Sequence, residues 1–358
     1  MKRLAKRLVD RMAALTERRS LEASLANADE NRRHVKLTIA DLAAGIPVPG
    51  VESAVVIGAG PSLHRKNPVA ELLASGYEGT VVACDGSLGY CLRNGLVPEY
   101  VVTLDPHPAR VCRWFGDTEL ESREDDDYFR RQDLDPHLGM DEQRRNRELI
   151  ELVNRHGPAI KAIICTSVAP NVTQRCLESG MELYWWNPLL DDVERPDSLT
   201  RRLHRHNGAP CMVSGGNVGA SAWIAASQVL RAREIAVTGM DFSYAPGTPI
   251  ERTQYFTELL QLFGDQAHEA IIPVENPYLG ETRLTDPAYY WYRESFLGLV
   301  RQARCVTYNC TEGGILFGEP VRWLPLKEFL AARCGARAGP RVLQVQTSSQ
   351  PAIAQVAG

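Results

Sequence analysis

Six short segments carry residue types suited to holding a phosphorylated small molecule. Residues 55 to 65 read VVIGAGPSLHR, an apolar run passing into Gly58, Gly60 and Ser62. Glycines let main-chain amides turn toward an anion with no Cβ in the way, and the serine adds a hydroxyl donor. A helix starting there would present its positive end to a phosphate. The pattern is neither Gly-x-Gly-x-x-Gly nor a Walker loop, and a plain strand-to-helix turn has the same composition. In VVACDGSL, residues 81 to 88, Asp85 ends a second apolar run. A carboxylate there accepts from a ribose hydroxyl or a base amine, or caps the next helix. In VVTLDPHP, residues 101 to 108, Asp105 suits a sugar hydroxyl or a metal. His107 reads as a general base or as a solvated loop side chain.

Thr166 and Ser167, in ICTSVAPN at 164 to 171, add two hydroxyls, with helix capping an equal account of Ser167. Gly215, Gly216 and Asn217, in SGGNVGASAW at 214 to 223, form a second glycine-rich turn suited to phosphate or a nucleobase. In VTGMDFSY, residues 237 to 244, Asp241 and Tyr244 close another run.

Such residues act together only if a scaffold brings them to one edge. The runs Ala54 to Ile57, Thr80 to Cys84, Tyr100 to Leu104 and Lys161 to Cys165 are short and apolar throughout. Helix-like stretches separate the first three. Continuous apolar runs alternating with helices predict parallel strands buried on both faces. Met181 to Trp186, Glu234 to Thr238 and Cys305 to Tyr308 predict three more. The expected fold is α/β: an open, mainly parallel, Rossmann-like sheet with helices on both faces. In such sheets ligands bind beyond the carboxyl ends of the strands, and every segment above ends there. Residues 1–35 predict an amphipathic helical extension, with Leu4, Leu8, Met12, Leu15, Leu21 and Leu25 near helical spacing. Residues 36–334 form the nucleotide-binding domain, with lid insertions near 113–150 and 245–288, and 335–358 read as a flexible tail. The acidic run at 124–127 reads as a solvated loop with metal binding as the alternative.

Composition narrows the class. The chain has 358 residues, 44% hydrophobic and 23% charged, with a net charge of -4. That is ordinary globular composition, and it gives no global field favouring nucleic acid. Nine cysteines without a Cys-x-x-Cys pair argue for a reducing compartment rather than a disulfide framework or a structural zinc site. The amino terminus lacks the apolar core of a secretory signal, and no window predicts a membrane span. The expected location is the cytoplasm. The basic face of the amino-terminal helix suits the inner membrane surface, and its apolar face suits packing on the domain or on a second copy of the chain.

The ordered set GAGPSL, CDGSL, PEYVVTLDP, GGNVGASAWIAA, Gly-Met-Asp-Phe at 239 to 242 and YNCTEGG resembles the Maf-type family. That family takes in motility-associated flagellin glycosyltransferases and the MptE-like 6-hydroxymethylpterin diphosphokinases. A more distant likeness runs to bacterial sialyltransferases that use CMP-sialic acid and have a variant GT-A fold. They carry Gly-Asn-Gly-Pro-Ser-Leu, comparable to residues 58 to 63, and Gly-Ile-Asp-Phe-Tyr, comparable to 239 to 243. Their catalytic histidine stands in Tyr-Ile-Gly-His-Ser before Thr-Asp. The matching positions read Tyr278-Leu279-Gly280-Glu281-Thr282 and then Thr285-Asp286, which puts Glu281 in the histidine's place.

The resemblance implies a glycosyltransferase acting on a nucleotide-activated sugar, a CMP-linked nonulosonate among the candidates, with a surface glycan or flagellin-type protein as acceptor. Gly58, Gly60, Ser62, Asp85, Thr166, Ser167, Gly215, Gly216, Asn217 and Asp241 would hold the nucleotide. Tyr244 would donate to the leaving phosphate, and Glu281, Asp105 or His107 would deprotonate the acceptor. The alternative is Mg²⁺-dependent diphosphate transfer from ATP to a 6-hydroxymethylpterin-like alcohol, with Asp105 as the metal ligand and Asp241 helping to gather the ion. A third reading is a nucleotide-binding protein without catalysis.

Overall fold

The computed structural model describes residues 21–122 and 142–334. Residues 1–20 of the expected helix, the acidic run at 124–127 and the tail at 335–358 lie outside the described residues.

Among the described residues there are twelve strands: β1 Leu37–Thr38, β2 Ser53–Ile57, β3 Thr80–Cys84, β4 Tyr100–Thr103, β5 Lys161–Cys165, β6 Glu182–Pro188, β7 Cys211–Met212, β8 Glu234–Thr238, β9 Ile272–Asn276, β10 Glu281–Thr285, β11 Val306–Asn309 and β12 Arg322–Trp323. All seven expected strands are there, shifted by two residues or fewer at their ends. Ten strands make one parallel sheet in the order β1-β6-β5-β4-β3-β2-β8-β11-β12, with β7 beside the end of β6. The short strands β1, β7 and β12 were not expected, because two residues leave no hydrophobic pattern to read.

Alternation explains why the central runs are apolar throughout. Ala54 and Val56 enter one core cluster, with Trp223, Ile224 and Val237, while Val55 and Ile57 enter the other, with Val69, Leu72 and Phe329. Successive side chains point to opposite faces and both faces are covered, so neither position tolerates a polar residue. On one face the helix Val218–Ile224 lies across β2, β3 and β4; on the other, helices Pro68–Ser75 and Leu326–Ala331 pack together. Val218–Ile224 passes directly into a π-helical turn at Ala225–Val229.

The two stretches read as lid insertions carry regular structure where they are described. Residues 245–288 contain the helix Phe256–Phe263 and the antiparallel hairpin β9–β10, with a small core of Leu259, Ala267, Ala270 and Ile271. Pro273 disguised the first strand, and it is tolerated because a two-stranded ribbon leaves each strand with an open edge. Within 113–150, the helix Glu142–His156 begins and buries Leu149 and Val153 against the main core.

The described part of the amino-terminal extension is helical over 21–31 and packs on its own domain. Asn31 is 1% exposed; its Nδ2 donates to Thr166 O at 3.0 Å and Val168 O at 2.8 Å, and its Oδ1 accepts from the Thr173 hydroxyl at 2.8 Å. Asn27 Nδ2 donates to Ser167 O at 2.9 Å and Pro106 O at 3.2 Å. One face of this helix is thereby fastened to the carboxyl ends of β4 and β5. Asn31→Ala leaves buried carbonyls and a hydroxyl without partners and should cost about 2–3 kcal/mol in urea unfolding. Asn27→Ala, at a half-exposed site, should cost about 1 kcal/mol or less.

Candidate functional site

From β2 the chain winds through β3, β4, β5 and β6 on one side, while β8 and β11 lie on the other. The strand order therefore reverses between β2 and β8, and the crevice beyond their carboxyl ends is where such sheets take ligands. The turn at 58–62 and the loop at 239–244 meet there. Gly58 N donates to Thr238 O and Gly60 N to Gly239 O, both at 2.8 Å. Ser62 donates twice to Asp241 Oδ2, from its amide at 3.1 Å and its hydroxyl at 2.6 Å.

This contact accounts for the glycines. A Cβ on Gly58 would lie 2.6 Å from Gly239 O, and one on Gly60 would lie 2.3 Å from Asp241 Oδ2. Gly239 holds φ +64, and a Cβ on it would stand 2.4 Å from Gly58 O. Two backbones cross here too closely for any side chain. Most amides of the turn are thus spent within the protein, and Ser62 is 1% exposed with its hydroxyl committed to Asp241. Ala59 is the exposed residue of the turn, and its amide has no acceptor among the described residues.

Asp241 is 2% exposed and its Oδ1 has no partner among the described residues. Burial raises its pKa, opposed by the Ser62 bonds and by the charges of Arg65 and Arg283. The loop after β11 closes over it: Ile315 N donates to Asp241 O at 2.8 Å, and a Cβ on Gly314 would lie 2.2 Å from that oxygen. Arg283, on β10, is 6% exposed, pairs with Glu281 and has an Nε without a partner among the described residues. Glu281 is therefore linked to this edge through Arg283, with its own side chain 52% exposed.

Asp85 begins the helix Asp85–Arg93 and is 5% exposed. Its Oδ2 accepts from the Thr103 hydroxyl at 2.9 Å and its Oδ1 from Gly86 N at 2.7 Å. Burial pushes its pKa up to about 7, those two bonds pull the other way, and nearby Asp105 pushes it up further. A Cβ on Gly86 would stand 2.9 Å from the Ala59 Cβ, so the amino end of this helix lies against the exposed Ala59. Asp105 is exposed and accepts from His107 N at 2.8 Å, and His107 is half-buried beside it. Among the described residues no group of three His, Cys, Asp or Glu side chains is placed to hold a metal. A Mg²⁺ at Asp105 would draw its remaining ligands from water and substrate phosphates.

The other expected residues sit as follows. Gly215 and Gly216 have φ +69 and +85, and a Cβ on the exposed Gly216 would lie 2.8 Å from a Trp291 ring carbon. Asn217 caps Val218–Ile224 through Ala220 N at 2.9 Å, leaving its Nδ2 without a partner among the described residues. Thr166 gives its hydroxyl to Asn187 Oδ1 at 2.7 Å and Ser167 to Leu104 O at 3.1 Å, both facing inward beneath the amino-terminal helix. Tyr244, 1% exposed, donates to Asp286, so its proton is committed to that buried carboxylate. Asp286 is fully buried, caps the helix Pro287–Gln302 through Ala288 N and Tyr289 N, and has its pKa raised to about 6 by burial.

Sequence reasoning missed Arg283, Asp286 and the closing role of the Gly313–Gly314 loop. Asp-Pro ahead of a helical pattern is a cap signature, and it could have identified Asp286. Arg283 has no such signal, since its importance comes from the hairpin pairing.

Residues 22–119 match the family described as 6-hydroxymethylpterin diphosphokinase MptE-like. A search of the curated proteins finds no match. Among solved structures, the Maf glycosyltransferase from Magnetospirillum magneticum AMB-1 is similar, with a TM-score of 0.53 and 15% identity. The similarity covers 88% of this chain and 41% of that one, so the chain spans about two fifths of that structure. The likeness to Maf-type and MptE-like proteins read from the motifs is thus met by both comparisons, and the fold is that of the Maf structure.

Asp85 yields a pH prediction. Its folded pKa of about 7 exceeds the unfolded value of about 3.9, so between these the native state binds the extra proton. Its stabilising contribution is complete below about pH 4 and is lost as pH rises to about 7, a slope worth up to about 4 kcal/mol. Asp85→Asn keeps both hydrogen bonds by donating to Thr103, and it should flatten that slope in urea unfolding measured from pH 4 to 8.

Proposed function

We propose that this protein is a glycosyltransferase that takes a nucleotide-activated sugar at the crevice between β2 and β8. The carrying observation is the meeting of the Ala59 amide, the amino end of helix Asp85–Arg93 and the Asp241 loop at that crevice. The fold match to a glycosyltransferase over 88% of the chain supports it. Ala59 and the helix end offer positive potential to a phosphate. Asp85, protonated for about half the time near pH 7, repels that phosphate less than an ionised carboxylate does. Gly216 and Asn217 face the nucleoside, and Asp105 accepts from a sugar or ribose hydroxyl. Arg65, exposed and within electrostatic reach of Asp241, offsets charge growing on the leaving phosphate.

Glu281 is the general base: half exposed and held by Arg283, it takes the proton of the acceptor hydroxyl as that oxygen attacks the sugar carbon. Catalysis rests on positioning and on stabilising the leaving group. Ser62, Tyr244, Thr166 and Ser167 shape the site from behind. A CMP-linked nonulosonate is the donor we favour, with a surface glycan or flagellin-type protein as acceptor. The nine cysteines, none of them in a disulfide among the described residues, support a cytoplasmic setting. Among the described residues no helix is long and apolar enough to cross a membrane.

The family match over 22–119 favours one second reading, Mg²⁺-dependent diphosphate transfer from ATP. Its span includes Gly58–Ser62, Asp85 and Asp105, which would cradle the phosphates and hold the metal.

Nucleotide-dependent melting separates the two. Under the first reading CMP stabilises the protein without metal, by about 2.7 kcal/mol at a hundred times its Kd. Stabilisation by ATP with Mg²⁺ alone supports the second, and no response to CMP, UDP, GDP or ATP contradicts both. Glu281→Gln should lower kcat by about 10²- to 10⁴-fold while leaving the CMP response intact. Equal turnover by this variant removes Glu281 as the base.

A further inference from the structure

We propose that the stacked rings of Tyr278 and Trp323 form the docking platform for a pyranose ring of the acceptor. The inference rests on the glycosyltransferase reading. The two rings lie 5.1 Å apart between centroids and within 3° of parallel. Tyr278 is 51% exposed, so about half of its surface stays accessible while the ring stacks on Trp323.

Both rings hang from the loop that closes over Asp241. Tyr278 N donates to Asn276 Oδ1 at 2.9 Å, and Asn276 Nδ2 donates to Gly314 O at 2.9 Å. On the other side Trp323 pairs with Asn309, which also accepts Thr311 N at 2.9 Å. The platform is therefore fixed at the same edge as the crevice.

The register places the base beside it. Glu281 stands opposite Asn276 in the β9–β10 hairpin and three residues after Tyr278 in the chain. Glu275, exposed, stands on the preceding strand.

The chemistry favours a sugar over a nucleobase. An aromatic face is negative and attracts the C–H face of a pyranose. Carboxylates only accept hydrogen bonds, which suits sugar hydroxyls and repels a nucleotide phosphate.

The test is saturation-transfer NMR on the full chain with methyl β-D-galactopyranoside and N-acetyl-D-glucosamine, without nucleotide. Saturable transfer to ring protons of at least one sugar is expected. Tyr278→Ala should weaken it at least tenfold, Tyr278→Phe should retain it, and both should keep the wild-type melting response to CMP. The proposal is overturned if neither sugar shows saturable transfer or if Tyr278→Ala binds as wild type, the pair then serving only to cover the end of the sheet. Competition by CMP at this platform overturns it too, by making the surface a base-stacking site. Because sugar binding is read without nucleotide, a failed platform is distinguishable from a failed glycosyltransferase reading, which would show as no response to any nucleotide.

Discussion

Ser62 and Asp241 come from segments 179 residues apart, and the two hydrogen bonds between them fix how the halves of the sheet meet. A charge-assisted bond in a buried setting is worth about 1.5–3 kcal/mol. The geometric consequence exceeds that energy. With Asp241 held against the first turn, Gly58 and Gly239 must pass at backbone contact. The loop after β11 then has one place to go, over the Asp241 carbonyl. Met240 fills the space between, close enough that a Cβ on Gly219 would lie 2.4 Å from its sulfur. Helix Val218–Ile224 is thereby drawn in as well.

This lock changes what the glycine-rich turn does. Its glycines serve backbone crossing, and its serine serves Asp241. What remains for an anion is the Ala59 amide and the adjoining helix end. Asp241 itself keeps one oxygen without a partner among the described residues, in reach of the Arg65 and Arg283 charges. A buried acceptor left open at a sheet's switch point is costly for stability, and such costs gather at functional sites.

The parallel sheet was legible in the sequence because strands buried on both faces leave uninterrupted apolar runs. Seven of them stood where Ala54, Thr80, Tyr100, Lys161, Met181, Glu234 and Cys305 begin such runs. The edge of the site was legible for the same reason, since each run ended in a polar or glycine residue. What could not be read was the direction of each polar group. Thr166 and Ser167 have the composition of ligand donors, yet Asn27 and Asn31 draw the amino-terminal helix over their backbone. Nothing near Tyr244 in the sequence marks its partner, Asp286, which caps the helix after the hairpin 42 residues later. The hairpin was hidden by Pro273 and by polar residues that a two-stranded ribbon leaves in water. Side-chain direction depends on tertiary partners, and local pattern carries no record of them.

A crystal structure grown with CMP tests the central claim most directly. The phosphate is expected within hydrogen-bond distance of the Ala59 amide, beside the first turn of helix Asp85–Arg93, with Ser62 still bonded to Asp241. A nucleotide bound away from the β2–β8 crevice, or a phosphate held by the Ser62 hydroxyl after Asp241 has swung out, contradicts it.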